Sequence, residues 1–376
     1  MSEWKKVRFL DVVHLNPRIS LEKGVEYPFV EMSNVVPCAR KPEKDVFKKY
    51  LGGGTKFEQG DTIVARIEPC LQNGKGFQCS YKQGFGSTEF IVFRPVNIND
   101  LDCDFLYYYM GQQAIREAMA KTMVGASGRQ RVNNKVFNDL QIYLPPLSTQ
   151  HRIANILSRY DSLIENYQKQ IKLLEEAAQR LYKEWFIDLH FPGHENTNLI
   201  DGVPEGWEKK KVGEIAPIIT GKKDANFGTP NGEYPFFTCS QEPIKAPSFS
   251  FDCAAVLLAG NGDFNVKLYR GRFEAYQRTY VLSPYIDSHL YLLFYTISAN
   301  MTKLAAGSSG STIKFLTKGM IDGINLNVPN DEILRSFNKK VEPIQSSRES
   351  LQSQLRLLTE ARDRLLPKLM SGEITI

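Results

Sequence analysis

Residues 153–185 read IANILSRYDSLIENYQKQIKLLEEAAQRLYKEW and carry a heptad pattern. Apolar residues recur at alternating steps of four and three, which places them in one stripe along an α-helix. A stripe of this length cannot be buried by its own helix, so the pattern predicts a partner helix. The first seam consists of Ile153, Leu157, Tyr160, Ile164, Tyr167, Ile171, Leu174, Ala178, Leu181 and Trp185.

A second copy of this seam lies near the end of the chain. It keeps a constant offset from the first copy and has Arg348 and Arg362 at two of its positions. The segment before the first seam, LQIYLPP (140–146), is matched by INLNVP (324–329) before the second. These parallels indicate a tandem duplication whose unit is half the protein. The second seam consists of Phe337, Val341, Ile344, Arg348, Leu351, Leu355, Leu358, Arg362, Leu365 and Leu369.

Local signals predict the ends of the two helices. Ser148 is suited to cap the first helix and Asn330 the second, because short polar side chains accept hydrogen bonds from free N–H groups at a helix start. Pro367 is expected to kink or end the second helix, so that Leu369 packs outside the coiled coil. The two seam arginines are interpreted as solvated or partner-facing residues, or as a device against a wrong register.

The duplication divides the chain into five segments. Residues 1–146 and 207–329 are predicted to be two globular domains of mixed α/β (α+β) structure in pseudo-two-fold tandem. Residues 147–190 and 330–376 are the long helices, the second with a C-terminal tail, and 191–206 is a linker rich in Gly, Pro and Asn. Strand-like runs lie at 61–67, 89–95, 254–260 and 278–284, and shorter helices are expected at 103–121 and 287–304.

The simplest way to bury both seams is to pack the two helices together. Their relative direction is not readable from the seam, but an antiparallel pair would place the two domains at opposite ends. At about 1.5 Å per residue the first helix would be roughly 50 Å long. This length corresponds to on the order of 14 base pairs of B-DNA as an upper limit, so the helices would act as a ruler between two binding heads.

Composition is that of an ordinary globular protein. The chain has 376 residues, of which 42% are hydrophobic and 24% charged, and its net charge of +5 permits an anionic partner without requiring one. The start lacks the apolar core of a signal peptide and no apolar run could span a bilayer, so we expect a cytoplasmic protein without membrane contact. Six irregularly spaced cysteines suggest neither a zinc site nor disulfide bonds.

Motifs for catalysis are missing from the sequence. It has no G-x-x-x-x-G-K-[ST], no G-x-G-x-x-G and no H-E-x-x-H, and only five histidines. We therefore expect no catalytic residue, metal or cofactor in this chain. Surfaces for recognition are the remaining candidates.

Glycine-rich turns with polar side chains are the candidate DNA contacts. Arg and Lys suit guanine edges and phosphates, whereas Asn and Gln suit adenine edges. Taken alone, each such loop is more often a solvated turn. The candidates in the first domain are Lys56, Arg66, Gln72, Asn73, Lys75, Ser127, Arg129, Gln130 and Arg131. Those in the second are Lys222, Lys223, Asn226, Asn261, Asn265, Lys267, Tyr269, Arg270, Ser309 and Lys314.

Several motifs resemble the DNA specificity subunit of type I restriction–modification systems. They include LPPLSTQHRIANIL (144–157), LYKEWF (181–186), VPEGWE (203–208) and LLPKLMSGEI (365–374). The resemblance covers both repeats and essentially the whole chain. It departs from the family pattern at Thr149, where a Glu is common, and in the second repeat, which lacks the Gln of the first motif.

The resemblance implies two target-recognition domains, each reading one half of a bipartite, asymmetric DNA sequence, and an antiparallel coiled coil that fixes the unread spacer. It also implies double-stranded DNA, two methylation subunits and two restriction subunits as partners. S-adenosylmethionine, ATP and Mg would then act on the partner subunits.

Two alternatives remain. One is a coiled-coil scaffold with protein-binding heads, which steep salt dependence of DNA affinity would argue against. The other is a nuclease or methyltransferase in its own right, against which the missing motifs count.

Overall fold

The computed structural model describes residues 4–126, 128–308, 310 and 314–376. The chain forms two compact units, and each unit takes part of both long helices. Unit 1 comprises Met1–Lys169 and Gln352–Ile376, and unit 2 comprises Gln170–Leu351. The units thus cut across the five predicted segments, because each globular part is packed against the helix segments nearest to it.

Unit 1 is built from short strands and helices that precede the first long helix. Its strands are β1 (Lys5–Arg8), β2 (Val13–Leu15), β3 (Glu26–Val30), β4 (Phe47–Lys49), β5 (Thr55–Glu58), β6 (Thr62–Ala65), β7 (Gly76–Gln78), β8 (Gln83–Gly86), β9 (Phe90–Pro95) and β10 (Gln141–Leu144). Its helices are α1 (Phe9–Val12), α2 (Cys103–Met110), α3 (Gln113–Ala120), α4 (Val136–Asp139) and the start of α5 (Leu147–Tyr182). The described strands form sheets in the orders β2-β9-β6-β7, β4-β3-β8-β5 and β1-β10.

Unit 2 begins within α5, which is followed by a π-helical turn at Lys183–Ile187. Its strands are β11 (Leu199–Ile200), β12 (Val203–Pro204), β13 (Glu208–Lys211), β14 (Ile218–Thr220), β15 (Tyr234–Phe237), β16 (Ile244–Ala246), β17 (Phe251–Ala259), β18 (Val266–Ala275), β19 (Thr279–Leu282) and β20 (Asn325–Val328). Its helices are α6 (Val212–Ile215), α7 (Leu290–Gly307), α8 (Lys318–Asp322) and the first part of α9 (Asp331–Met370). The described strands include a sheet in the order β14-β19-β17-β18-β15-β16.

The same local structure occurs in both units, which confirms the tandem repeat. In unit 1, β1 pairs antiparallel with β10 just before a long helix, and in unit 2 β13 pairs in the same way with β20. Parallel pairing also recurs, between β3 and β8 and between β15 and β18. The four predicted strand runs are found as β6, β9, β17 and β19. The helix predicted at 103–121 is divided into α2 and α3 at Gly111 and Gln112.

Two of the predicted helix ends need correction. The first long helix begins at Leu147, so Ser148 lies inside its first turn and does not precede it. The second helix continues past Pro367 to Met370. Leu369 is only 1% exposed and belongs to the core of unit 1. Burial of this side chain offsets the loss of the helical hydrogen bond that the nitrogen of Pro367 cannot donate.

The predicted cap of the second long helix is confirmed. The Asn330 side-chain oxygen accepts a hydrogen bond from the backbone N–H of Ile333 at 3.0 Å. We expect Asn330→Ala to lower the free energy of unfolding by about 1 kcal/mol, measured by urea denaturation. The matched variant Ser148→Ala should change it by less than about 0.5 kcal/mol, because Ser148 caps no helix. Equal effects of the two substitutions would contradict this assignment.

The seam residues are buried most completely where the long helices meet the globular parts. In unit 1, Ile153 and Leu157 are buried in the same core as Leu369, and in unit 2 Phe337 and Val341 are buried. Ile164, Ala178 and Trp185 are also buried. The other apolar seam positions are partly covered: Tyr160, Tyr167, Ile171, Leu174, Leu181, Ile344, Leu351, Leu355, Leu358 and Leu365.

Of the interpretations of Arg362, the solvated one is wrong and the partner-facing one is confirmed, because Arg362 on α9 pairs with Asp161 on α5. Its guanidinium lies 2.9 Å from Asp161, and the two side chains are 10% and 7% exposed. The hydroxyl of Tyr108 donates to the same carboxylate at 2.6 Å, and Arg362 also donates to the backbone oxygen of Cys38 at 3.1 Å. Burial, and after it the charge of Asp161, raise the pKa of Tyr108. A buried charge on the seam is therefore neutralised inside unit 1.

Each unit contains an ion pair between its segments of the two long helices. In unit 1, Asp161 of α5 contacts Arg362 of α9. In unit 2, Glu175 of α5 lies 3.4 Å from Arg348 of α9. Within each unit, the segments of the two helices are thus linked by charge as well as by apolar contacts.

Candidate nucleic-acid interface

In unit 2, several predicted loops meet at one edge of the six-stranded sheet. The centre of this edge is the turn between β18 and β19, residues 276–278, here called the 276–278 turn. The backbone N–H of Gln277 donates to the oxygen of Lys223 at 2.9 Å, and the N–H of Gly260 donates to the oxygen of Arg278 at 2.8 Å. The turn is therefore held between the loop after β14 and the loop after β17.

Glycine is required on both sides of the 276–278 turn. A Cβ atom at Gly221 would collide with the backbone oxygen of Ala275, and one at Gly260 would collide with the backbone oxygen of Arg278. The loops therefore approach closely enough to exclude a side chain. The backbone that carries the exposed side chains of this edge is therefore held by close contacts and hydrogen bonds between the loops.

The same edge includes the segment after α7. The backbone N–H of Leu316 donates to the oxygen of Gly260 at 2.8 Å, and the N–H of Gly262 donates to the oxygen of Lys314 at 3.2 Å. Asn261 forms a β-bridge with Phe315. Candidates predicted from three separate stretches of sequence are thus brought together: Lys222, Lys223, Asn226, Asn261, Asn265, Lys267 and Lys314. Ser309 lies outside the described residues.

Two of these candidates are engaged in bonds that hold the edge together. The Lys267 ammonium donates to the backbone oxygen of Ser240 at 2.7 Å and to the side-chain oxygen of Asn265. Asn265 in turn donates to the backbone oxygen of Cys239 at 2.9 Å. Burial lowers the pKa of Lys267. Both side chains therefore fix the loop at 238–241 against the strand that carries them.

Two other candidates point elsewhere. The ring of Tyr269 packs against Phe237, with ring centroids 5.0 Å apart. The guanidinium of Arg270 lies over the ring of Tyr291 at 5.1 Å and 3.5 Å from the carboxylate of Glu342 on α9. Arg270 is thus directed towards the long helix, and Tyr269 contributes to packing within the sheet.

Unit 1 has an edge of the same kind. The backbone N–H of Val132 donates to the oxygen of Arg66 at 2.9 Å, and the N–H of Glu68 donates to the oxygen of Gln130 at 3.1 Å. These bonds bring the predicted loop after β6 against the predicted loop at 125–131. The Arg131 guanidinium makes a two-pronged contact with the carboxylate of Glu89, at 2.7 and 2.8 Å.

The contact with Arg131 favours the charged form of the Glu89 carboxylate. Hydrogen bonding to Arg131 lowers the pKa of Glu89, so the carboxylate is ionised at neutral pH. Arg129 is exposed nearby, and the Nε atom of Arg66 is buried without a hydrogen-bond partner among the described residues. Ser127 lies outside the described residues.

The remaining candidates of unit 1 differ in their surroundings. Gln72 is exposed and donates to Glu68 at 2.8 Å, and Asn73 is exposed beside it. Lys75 is half-buried and donates to the backbone oxygen of Met32 at 2.8 Å. Lys56 lies on β5, with its ammonium 5.3 Å from the ring centroid of Tyr50. It therefore belongs to another sheet, the one with the strand order β4-β3-β8-β5.

Sequence reasoning missed two residues at the centres of these edges, Glu89 and Arg278. Each one immediately precedes an apolar strand, β9 or β19, and is bonded through its backbone to the loop after the neighbouring strand. Each was assigned to the predicted strand that it begins, at 89–95 or 278–284. In both predicted runs the first residue is charged and an apolar strand follows. This feature could have identified Glu89 and Arg278.

Among residues that the structure describes, no group of three or more His, Cys, Asp or Glu side chains could hold a metal ion. Within the same residues, no helix is both long enough and apolar enough to cross a membrane.

The amino-acid sequence is similar to those of known proteins. The model of the family described as "Type I restriction modification DNA specificity domain" matches residues 1–176 and 204–347. The EcoDI type I restriction enzyme specificity subunit of Escherichia coli is 36% identical over 177 residues, which cover 46% of this chain and 40% of that protein. The MjaIX specificity subunit of Methanocaldococcus jannaschii is 26% identical over 304 residues, covering 73% of this chain and 69% of that protein.

The fold has a counterpart among solved structures. The crystal structure of a type I restriction-modification S subunit from M. genitalium superposes with a TM-score of 0.58 at 18% sequence identity. The superposition covers 97% of this chain and 96% of that one. At this level of identity the likeness shows a shared fold.

Proposed function

Since the chain belongs to the type I restriction modification DNA specificity domain family, we propose that it is the subunit that selects the DNA sequence for a restriction–modification complex. Each globular part would read one half of a bipartite, asymmetric target. The two long helices would hold the two readers apart and so set the length of the unread spacer. The chain would contribute recognition, and the partner subunits would contribute catalysis.

One observation carries this proposal. Both units present the same edge, built by equivalent backbone hydrogen bonds, but the side chains on the two edges differ. A repeated frame with unlike side chains suits a protein that reads two different short sequences with one architecture. Arg and Lys side chains on the edges supply groups for phosphates and guanine, and Asn and Gln side chains supply groups for adenine.

The proposed partners are double-stranded DNA, two methylation subunits and two restriction subunits. S-adenosylmethionine would act on the methylation subunits, and ATP with Mg on the restriction subunits.

The salt dependence of DNA binding distinguishes this function from a protein-binding scaffold. We expect the affinity of the chain for duplex DNA to fall steeply between about 50 and 200 mM salt. Each phosphate contact releases condensed counterions from the DNA, and added salt opposes this release. Lys222→Ala removes an exposed cation from the edge of unit 2 and should reduce the slope of log affinity against log salt by about 1.

Lys339→Ala is the matched control, because Lys339 is an exposed lysine on α9. It should leave the slope unchanged. A slope near zero for the unmodified protein would favour the scaffold, and equal effects of the two substitutions would show that the edge is not the contact surface.

A further inference from the structure

The two edges share a backbone frame around one position in each unit. In unit 1, Glu89 immediately precedes β9, which pairs with β6. In unit 2, Arg278 immediately precedes β19, which pairs with β17. The backbone oxygen of Glu89 accepts from the N–H of Arg66 at 2.9 Å, and that of Arg278 accepts from the N–H of Gly260 at 2.8 Å. Glu89 and Arg278 are therefore structurally equivalent residues.

The frame continues two residues before this position. The backbone N–H of Ser87 donates to the oxygen of Val30 at 3.1 Å, and the N–H of Tyr276 donates to the oxygen of Phe237 at 3.0 Å. These bonds follow the parallel strand pairs, which end at corresponding places in the two repeats. The backbone at the equivalent position is thus fixed from both sides in each unit.

The side chains at this position have opposite charges. Glu89 is 22% exposed and is held by Arg131. Arg278 is exposed, and its guanidinium makes no hydrogen bond or ion pair among residues that the structure describes, although its backbone oxygen also accepts from the Cys239 thiol at 3.6 Å. The same backbone frame forms with either charge, so the frame does not depend on the charge at this position. A contact to a backbone phosphate would suit Arg278 but would repel Glu89.

We propose that this position determines base specificity in both half-sites. Arg278 donates to the O6 and N7 atoms of a guanine in the half-site read by unit 2. Glu89 accepts a hydrogen bond from the N4 amino group of a cytosine in the half-site read by unit 1. Arg131 acts as a positioning residue that orients the Glu89 carboxylate. These pairings follow from the donors and acceptors of the base edges in the major groove, and the inference rests on the proposed function.

The test is the set of methylated sites in host DNA after co-expression of the chain with a methylation subunit. Arg278→Gln should relax one guanine position in one half-site, with about a tenfold or greater loss of discrimination there, and leave the other half-site and the spacer unchanged. Glu89→Gln should relax one cytosine position in the other half-site. Arg272→Ala, which removes an exposed arginine of the same unit that is paired with Asp252, should leave every position unchanged.

Several outcomes would overturn the inference. An unchanged motif in both variants would show that the position reads no base. A uniform loss of methylation at all sites, with the motif intact and the variants folded, would identify a phosphate contact or a structural role. If one variant fails to fold, the other still tests its own half-site. Absence of any two-part motif for the unmodified protein would instead count against the proposed function.

Discussion

Arg362→Ala should lower the free energy of unfolding by about 3–5 kcal/mol, because it leaves the carboxylate of Asp161 buried without its cation. Both side chains are almost completely covered, and the pair is 2.9 Å apart. The Tyr108 hydroxyl would remain as a hydrogen-bond donor to Asp161 but cannot neutralise its charge. Urea denaturation followed by circular dichroism provides the measurement.

The control for this prediction lies on the same helix. Arg364 is 77% exposed and pairs with Glu360 one turn away, so Arg364→Ala should change the free energy of unfolding by less than about 0.5 kcal/mol. The double variant Asp161→Leu/Arg362→Met removes both charges and should be destabilised less than Arg362→Ala alone. Similar small effects for Arg362→Ala and Arg364→Ala would show that the buried pair contributes nothing to stability.

Lengthening both long helices by one heptad should change the spacer of the DNA target. The insertions would follow Lys169 in α5 and Leu351 in α9, where the two units divide each helix. Seven residues preserve the seam and add about 10 Å of helix, which corresponds to about three base pairs. We expect methylated sites with a longer gap, or loss of methylation where the two heads no longer face the same side of the DNA.

A matched insertion separates helix length from chain length. Seven Gly and Ser residues placed between Asp201 and Gly202, at the tip of the hairpin formed by β11 and β12, should leave the gap unchanged. A heptad variant that methylates the original motif with its original gap would contradict the role of the helices as a ruler.

The helices and strands were largely predictable because their patterns are local. Alternating steps of four and three identified both seams, and Asn330 was recognised as a cap from its position alone. The expected helix end at Pro367 was wrong because the helix is stabilised beyond it by the burial of Leu369 in the core of unit 1. The residues that bury Leu369 lie far away in sequence. The choice between a solvated and a partner-facing Arg362 stayed open for the same reason, since nothing near it in sequence reveals Asp161.

The candidate site was predictable as a set of loops but not as a set of contacts. The glycine-rich turns do meet at one edge in each unit. Sequence alone could not show that Lys267 is engaged by Ser240, or that Tyr269 packs against Phe237, because these contacts depend on which loops become neighbours. The same dependence on tertiary structure concealed Arg278.

We propose that one chain reads two separate short sequences. The most direct measurement is to co-express it with its methylation subunit and to sequence the methylated adenines of the host DNA. We expect two short motifs separated by a gap of fixed length and unread sequence. A single continuous motif, or no modified motif while the complex is intact and S-adenosylmethionine is present, would overturn the proposal.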